Sequence, residues 1–227
     1  MALYNRESKL SEAILNHPQL IPVINRLGVR LGVGEHTIGS ICSREHIDAD
    51  FFLSVINTFL DPDYFPVNAR DTFTREKTVD YLRKTSFYYV KVQIPNIRRH
   101  FGSLIARSGE DNNLAQLHRF FEETALQIEN IVAKDEVTVF PALLSGDLDN
   151  VTEVSAESHS EVEEKLHDLL YLFVAHLRGD YDRNLATAVV TAIFSLEKDY
   201  RQNNRIRRRI LLPQVRRGKE TIDDYGG

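Results

Sequence analysis

Apolar positions recur every three or four residues along most of the chain, and no stretch shows the period of two that a half-buried strand needs. The pattern predicts an all-α protein. Over the first 60 residues the periodic runs are short and well punctuated. Helices are expected from Ser11 to Asn16, broken by His17-Pro18, and from Pro22 to Leu27, stopped by Gly28. Gly32 and Gly34 make a turn, after which Thr37 to Arg44 forms a third helix. Asp48 or Asp50 then caps a helix from Phe51 to Leu60, whose Phe51, Phe52, Val55, Ile56 and Phe59 keep helical spacing. The run Asp61-Pro62-Asp63-Tyr64-Phe65-Pro66 reads as a linker.

Four long periodic segments follow. They run from about Thr74 to Arg107 with a local bend at Pro95, and from Asn112 to Leu144, ending before Ser145-Gly146. The third covers Glu153 to Arg178, stopped by Gly179-Asp180, and the fourth Asp182 to Arg217, ending at Gly218. Long helices joined by short loops most simply give an up-down-up-down four-helix bundle. The expected organisation is a small helical domain over 1–60, a linker over 61–73, the bundle over 74–218 and a tail over 219–227.

Each inner stripe is apolar but admits one or two polar residues: Ser86 in the first, Asp135 in the second, His159 in the third, Asn203 and Arg207 in the fourth. In an antiparallel bundle these could meet at one level. An internal echo supports that idea. Ile131-x3-Asp135-x4-Phe140-Pro141 has the same spacing as Asn203-x3-Arg207-x4-Leu212-Pro213.

Charge and cysteine content narrow the function classes. Net charge is −5, yet Arg201, Arg205, Arg207, Arg208, Arg209, Arg216, Arg217 and Lys219 form a strip without acidic residues, leaving 20 basic against 33 acidic residues elsewhere. The plain reading is a helix with cations near its C-terminus, where its dipole favours them. The sharper reading is an anion-binding strip built on Arg205, Arg208, Arg209, Arg216 and Arg217. Leu211-Leu212-Pro213 interrupts that strip and no aromatic lies among its arginines for base stacking, so nucleic acid is not the expected partner. A helix-turn-helix reading of Thr37 to Phe59 fails similarly, because the second helix offers Phe51-Phe52-Leu53 rather than base-reading side chains. Phe51, Phe52 and Phe59 suit docking onto the bundle or a twin subunit, so a homodimer or a protein partner engaged through the N-terminal domain is expected. No run is long and apolar enough for a membrane span and no leader pattern opens the chain, which points to the cytoplasm. The single Cys42 excludes an internal disulfide and reads as a core residue.

At the residues of the echo the chain resembles the hemerythrin-like superfamily, more specifically the di-iron iron–sulfur cluster repair proteins. Those carry His-x3-Glu closely followed by Leu-Phe-Pro in helices two and four, a His pair in helix one and a His in helix three, after a small helical domain with a Gly-Ile-Asp-x-Cys-Cys-Gly-Gly turn. The likeness spans residues 8–60 and 74–217. Carried over, the helix-one pair falls on Ser86 and Phe87, and the helix-two ligands on Ile131 and Asp135, with Glu136 beside the latter. The helix-three His falls on His159, and the helix-four ligands on Asn203 and Arg207. The cysteine pair falls on Gly32 and Val33, while Cys42 matches a later family cysteine.

The family implies iron, but these residue types argue against it. Two metals about 3.5–4 Å apart need several His and carboxylate ligands, and a permanently charged guanidinium at a ligand position repels a cation. Arg207 is expected to pair with Asp135 instead, supported by Asn203, His159 and Ser86. Breaking such a pair from one side costs about 3–5 kcal/mol. The first functional reading is therefore a non-catalytic, metal-free interaction or regulatory module, with no catalytic residue and no cofactor. A second reading keeps iron on His159, Asp135 and Glu136, with a role in iron–sulfur cluster repair or the response to nitrosative or oxidative stress. A third uses the basic end of the last helix to hold an anion or nucleic acid.

Overall fold

Side-chain caps open two of the N-terminal helices. In the computed structural model, residues 3–65, 74–145 and 154–211 are described, and their regular structure is helical, apart from two isolated bridges. The expected helix ends at Arg217 and Gly218, the start at Glu153, the Leu212-Pro213 part of the echo and the tail lie outside them. The N-terminal residues form α1 (Leu10–Asn16), α2 (Leu20–Arg26), α3 (Ile38–Arg44) and α4 (Ala49–Leu60). Thr37 caps α3 by accepting the Ser40 N–H at 3.2 Å. Asp48, not Asp50, caps α4: its Oδ1 accepts the N–H groups of Asp50 and Phe51 at 3.0 and 3.1 Å.

Next come α5 (Arg75–Tyr88), α6 (Ile94–Ala106), α7 (Leu114–Lys134), α8 (Phe140–Ser145), α9 (Val154–His176) and α10 (Arg183–Ile206). Three π-helical turns interrupt or extend them: π1 (Tyr89–Gln93), π2 (Asp135–Val139) and π3 (Arg207–Leu211). Each begins six residues before a proline, at Tyr89/Pro95, Asp135/Pro141 and Arg207/Pro213. Proline has no N–H and its ring collides with the carbonyl four residues back. A wider turn just upstream relieves that conflict without ending the helix. The expected bend at Pro95 is realised in this form. The Ile94 N–H bonds to the Tyr89 carbonyl and the Phe140 N–H to the Asp135 carbonyl, each spanning five residues.

By its contacts the chain divides into two compact units, Met1–Thr85 with Gln202–Gly227, and Ser86–Arg201. In the second unit α6, α7, α9 and α10 pour their apolar faces into one core. Phe101 stacks on Phe121 with ring centroids 5.5 Å apart and meets Phe173 at the same distance; Leu166, Leu169, Val189 and Ile193 are fully buried around them. Arg98 on α6 ties down α7: its guanidinium grips Glu122 (2.8 Å) and Glu129 (3.0 Å). At one end of this unit the α6–α7 and α9–α10 loops meet. The Asn113 side chain donates to the His176 carbonyl (3.0 Å) and accepts the Arg178 N–H (3.1 Å). Gly179 lies against Asp111 with φ +87°, so close that a Cβ would fall 1.8 Å from the Asp111 carbonyl oxygen.

In the first unit, Asn57 on α4 brackets the backbone of Tyr4, accepting its N–H at 3.0 Å and donating to its carbonyl at 2.9 Å. Phe51, Phe52 and Phe59 are buried within this chain, which makes packing their role rather than display to a twin subunit. Cys42 is buried as expected, and desolvation pushes its thiol up to about 11. Lys77 reaches Asp48 at 2.6 Å.

Candidate functional site

The buried polar residues anticipated from the stripes are real, and tyrosines join them. In the unit of residues 86–201, π2 begins at Asp135, whose carboxylate is 2% exposed. His159, on α9, sits beside it. Its Nε2 lies 3.8 Å from Asp135 Oδ2, and its Nδ1 is 2.6 Å from the hydroxyl of Tyr200 on α10. The Tyr200 ring also packs against His159 (centroids 5.6 Å apart) and against Tyr89 of π1 (5.3 Å). The His159 imidazole of α9 is therefore held between a carboxylate of π2 and a phenol of α10, with Tyr89 of π1 backing the phenol. Ser86 is buried in the same unit.

This arrangement reads as a buried polar cluster. A buried imidazole needs a partner on each nitrogen. The Tyr200 hydroxyl meets that need on one side, and the Asp135 carboxylate lies on the other, just beyond direct hydrogen-bond length. A di-iron centre does not fit this donor set. Of the positions in this unit onto which the sequence resemblance carries ligands, Ser86 and Phe87 carry no imidazole, Ile131 is apolar, and His159 and Asp135 offer metal-binding atoms. Glu136, the third weak candidate, is exposed. Among the described residues no three His, Cys, Asp or Glu side chains stand grouped so as to hold a metal ion.

Asn203 and Arg207, the helix-four candidates, belong to the other unit. Both are buried. Asn203 Oδ1 accepts the hydroxyl of Tyr81 at 2.8 Å, and Tyr81 in turn lies under Arg26 (5.7 Å from the guanidinium to the ring centroid) and against Phe51. Arg207 opens π3, as Asp135 opens π2, so the two halves of the echo share a backbone irregularity as well as a spacing. A third copy went unread in the sequence. Thr85-x3-Tyr89-x4-Ile94-Pro95 has the same form and places π1, and all three residues at the π start (Tyr89, Asp135, Arg207) are buried.

The basic strip is divided in its roles. Arg205 donates to the Thr58 carbonyl at 3.3 Å, and Arg209 to the carbonyls of Pro62 and Tyr64 while covering the Phe65 ring. Arg208 is exposed, and Arg216 and Arg217 lie outside the described residues. Tyr200, Tyr89 and Tyr81 were missed as polar residues because each occupies an apolar register, where a ring and a ring with a hydroxyl look alike. No described helix is long and apolar enough to cross a membrane. No protein-family model, curated protein or solved structure matches the chain.

Proposed function

We propose that this chain is a non-catalytic, metal-free member of the hemerythrin-like type, a four-helix bundle serving as an interaction or regulatory module in the cytoplasm. The observation that supports this reading is the engagement of His159. The imidazole at the one retained histidine position spends Nδ1 on Tyr200, and the Asp135 carboxylate faces Nε2. On this reading the polar cluster fixes the register of the helices, the role that buried polar groups fill best elsewhere. A fold by itself confers no activity, so the function rests on surfaces.

The surface offered to a second copy or another protein is the N-terminal one, where Leu15 and Leu31 are exposed at 80% and 58%. Light scattering of the purified chain at high micromolar concentration tests this. A dimer that Leu15→Asp with Leu31→Asp converts to a folded monomer is the expected result. A wild-type monomer, or a dimer indifferent to both changes, removes the N-terminal surface from the account.

A further inference from the structure

The unit of residues 86–201 carries a cleft of about 690 Å³ between α10 and the π1–α6 stretch, separate from the His159 cluster. Its charge is one-sided. Lys91, Arg99 and His100 line it, and no aspartate or glutamate does. In a chain of net charge −5 that is a notable exclusion. Nor is either strong base neutralised by another described residue. The neighbouring Arg98 is spent on Glu122 and Glu129, whereas Lys91 and Arg99 enter no ion pair among the described residues, and Arg99 merely donates to the Asn96 side chain.

The rest of the lining is rich in hydrogen-bonding groups: Asn96, Thr191 and Ser195 add an amide and two hydroxyls. Tyr88, Pro95 and Ala192 supply apolar surface beside them. Gln93 also lines the cleft. It is nine-tenths buried, and its Oε1 has no hydrogen-bond donor among the described residues. That acceptor is itself shielded from solvent, so Gln93 adds to the wall rather than to the polar groups that an occupant could reach.

We infer that this cleft binds a small organic phosphate, one with a flat or apolar body. A phosphate presents several acceptor oxygens to Lys91, Arg99 and the hydroxyls at once, through charge-assisted bonds. The apolar wall takes the body of the molecule. The volume falls in the range of small-molecule sites, about 300–1,000 Å³. The π1 turn forced by Pro95 shapes one wall, which gives that irregularity a use.

Calorimetric titration of the full chain in phosphate-free buffer tests the inference, with adenosine 5′-monophosphate, adenosine and inorganic phosphate as probes. The monophosphate should bind measurably, and more tightly than either of the other two. Lys91→Glu with Arg99→Glu should weaken it by about tenfold or more. Arg119→Glu with Lys134→Glu, the same charge change at exposed positions outside the cleft, should leave more of the affinity intact. Ser195→Trp fills the cleft without altering charge and should also weaken binding, so the test survives if the charge reversals unfold the chain. Four results would overturn the inference: no binding at millimolar monophosphate; binding indifferent to both cleft variants; inorganic phosphate binding as tightly as the nucleotide; or a single-stranded oligonucleotide binding where the mononucleotide does not.

Discussion

Replacing Tyr200 by Phe removes one oxygen atom from the core and leaves the ring that packs on Tyr89 and His159. The lost atom is the partner of His159 Nδ1 at 2.6 Å, between residues that are 3% and 7% exposed. No water path replaces a partner at that depth without a rearrangement. The imidazole nitrogen is stranded, and the expected cost is about 1–3 kcal/mol, the usual penalty for a buried polar group deprived of its partner. For a chain of this size that lowers Tm by roughly 2–12 °C, since each kcal/mol moves it about 2–4 °C. Urea unfolding followed by circular dichroism gives the number directly, with Tyr171→Phe on the exposed face of α9 as the reference, expected within about 0.5 kcal/mol of wild type. His159→Leu should cost a similar amount, and the double variant should cost less than the sum, by about 0.5–3 kcal/mol of coupling. If Tyr200→Phe is as stable as Tyr171→Phe, or the two core changes simply add, the cluster does not hold the helices as argued.

Other perturbations test separate parts of the structure. Gly179→Ala places a Cβ against the Asp111 carbonyl at a positive φ and should cost at least about 1–3 kcal/mol, whereas Gly102→Ala on the open face of α6 should stabilise by about 0.5–1 kcal/mol; equal effects in thermal unfolding would contradict the loop contact. At Asp48 burial pushes the carboxyl up, but the Lys77 ammonium and the Phe51 and Asp50 N–H groups outweigh it and hold the group below its ordinary 3.8. A carboxyl depressed by folding stabilises above its unfolded pKa and loses that contribution as pH falls through the folded one. Asp48→Ala should therefore cost about 0.5–2 kcal/mol near neutrality, with the difference from wild type shrinking below pH 3.8; a gap that is constant down to pH 2 would refute the assignment. Cys42, its thiol raised to about 11 by burial, should react with a disulfide reagent at pH 7.5 far more slowly in the folded chain than in urea, and comparable rates would show that it is accessible.

How much was legible in the sequence follows the physics of each feature. Helix identity was, because apolar periodicity and the punctuation at Pro18, Gly28 and Gly179 act locally. The cap choice between Asp48 and Asp50 was not, since both are acceptable caps and only the backbone decides. The polar interruptions at Ser86, Asp135, His159, Asn203 and Arg207 stood out because charge or amide on an apolar stripe is conspicuous, and all five are buried. Their tyrosine partners did not, because Tyr81, Tyr89 and Tyr200 satisfy the apolar pattern and reveal their hydroxyls only when a partner lies opposite. The π turns had a readable signal in the spacing to Pro95, Pro141 and Pro213, but a widened turn and a kink leave the same periodicity behind. The basic strip was legible as charge but not in the partners of each arginine. Charge density suggested a binding surface, whereas Arg205 and Arg209 use their donors on carbonyls of their own chain.

Iron content is the direct measure of the proposed metal-free reading. The chain, produced in iron-supplemented cells, purified without chelators and analysed by elemental mass spectrometry, should carry iron far below one atom per molecule, and added ferrous ion under anaerobic conditions should leave its unfolding temperature unchanged. About two irons per chain, lost together with stability when His159 is replaced by Leu, would contradict it.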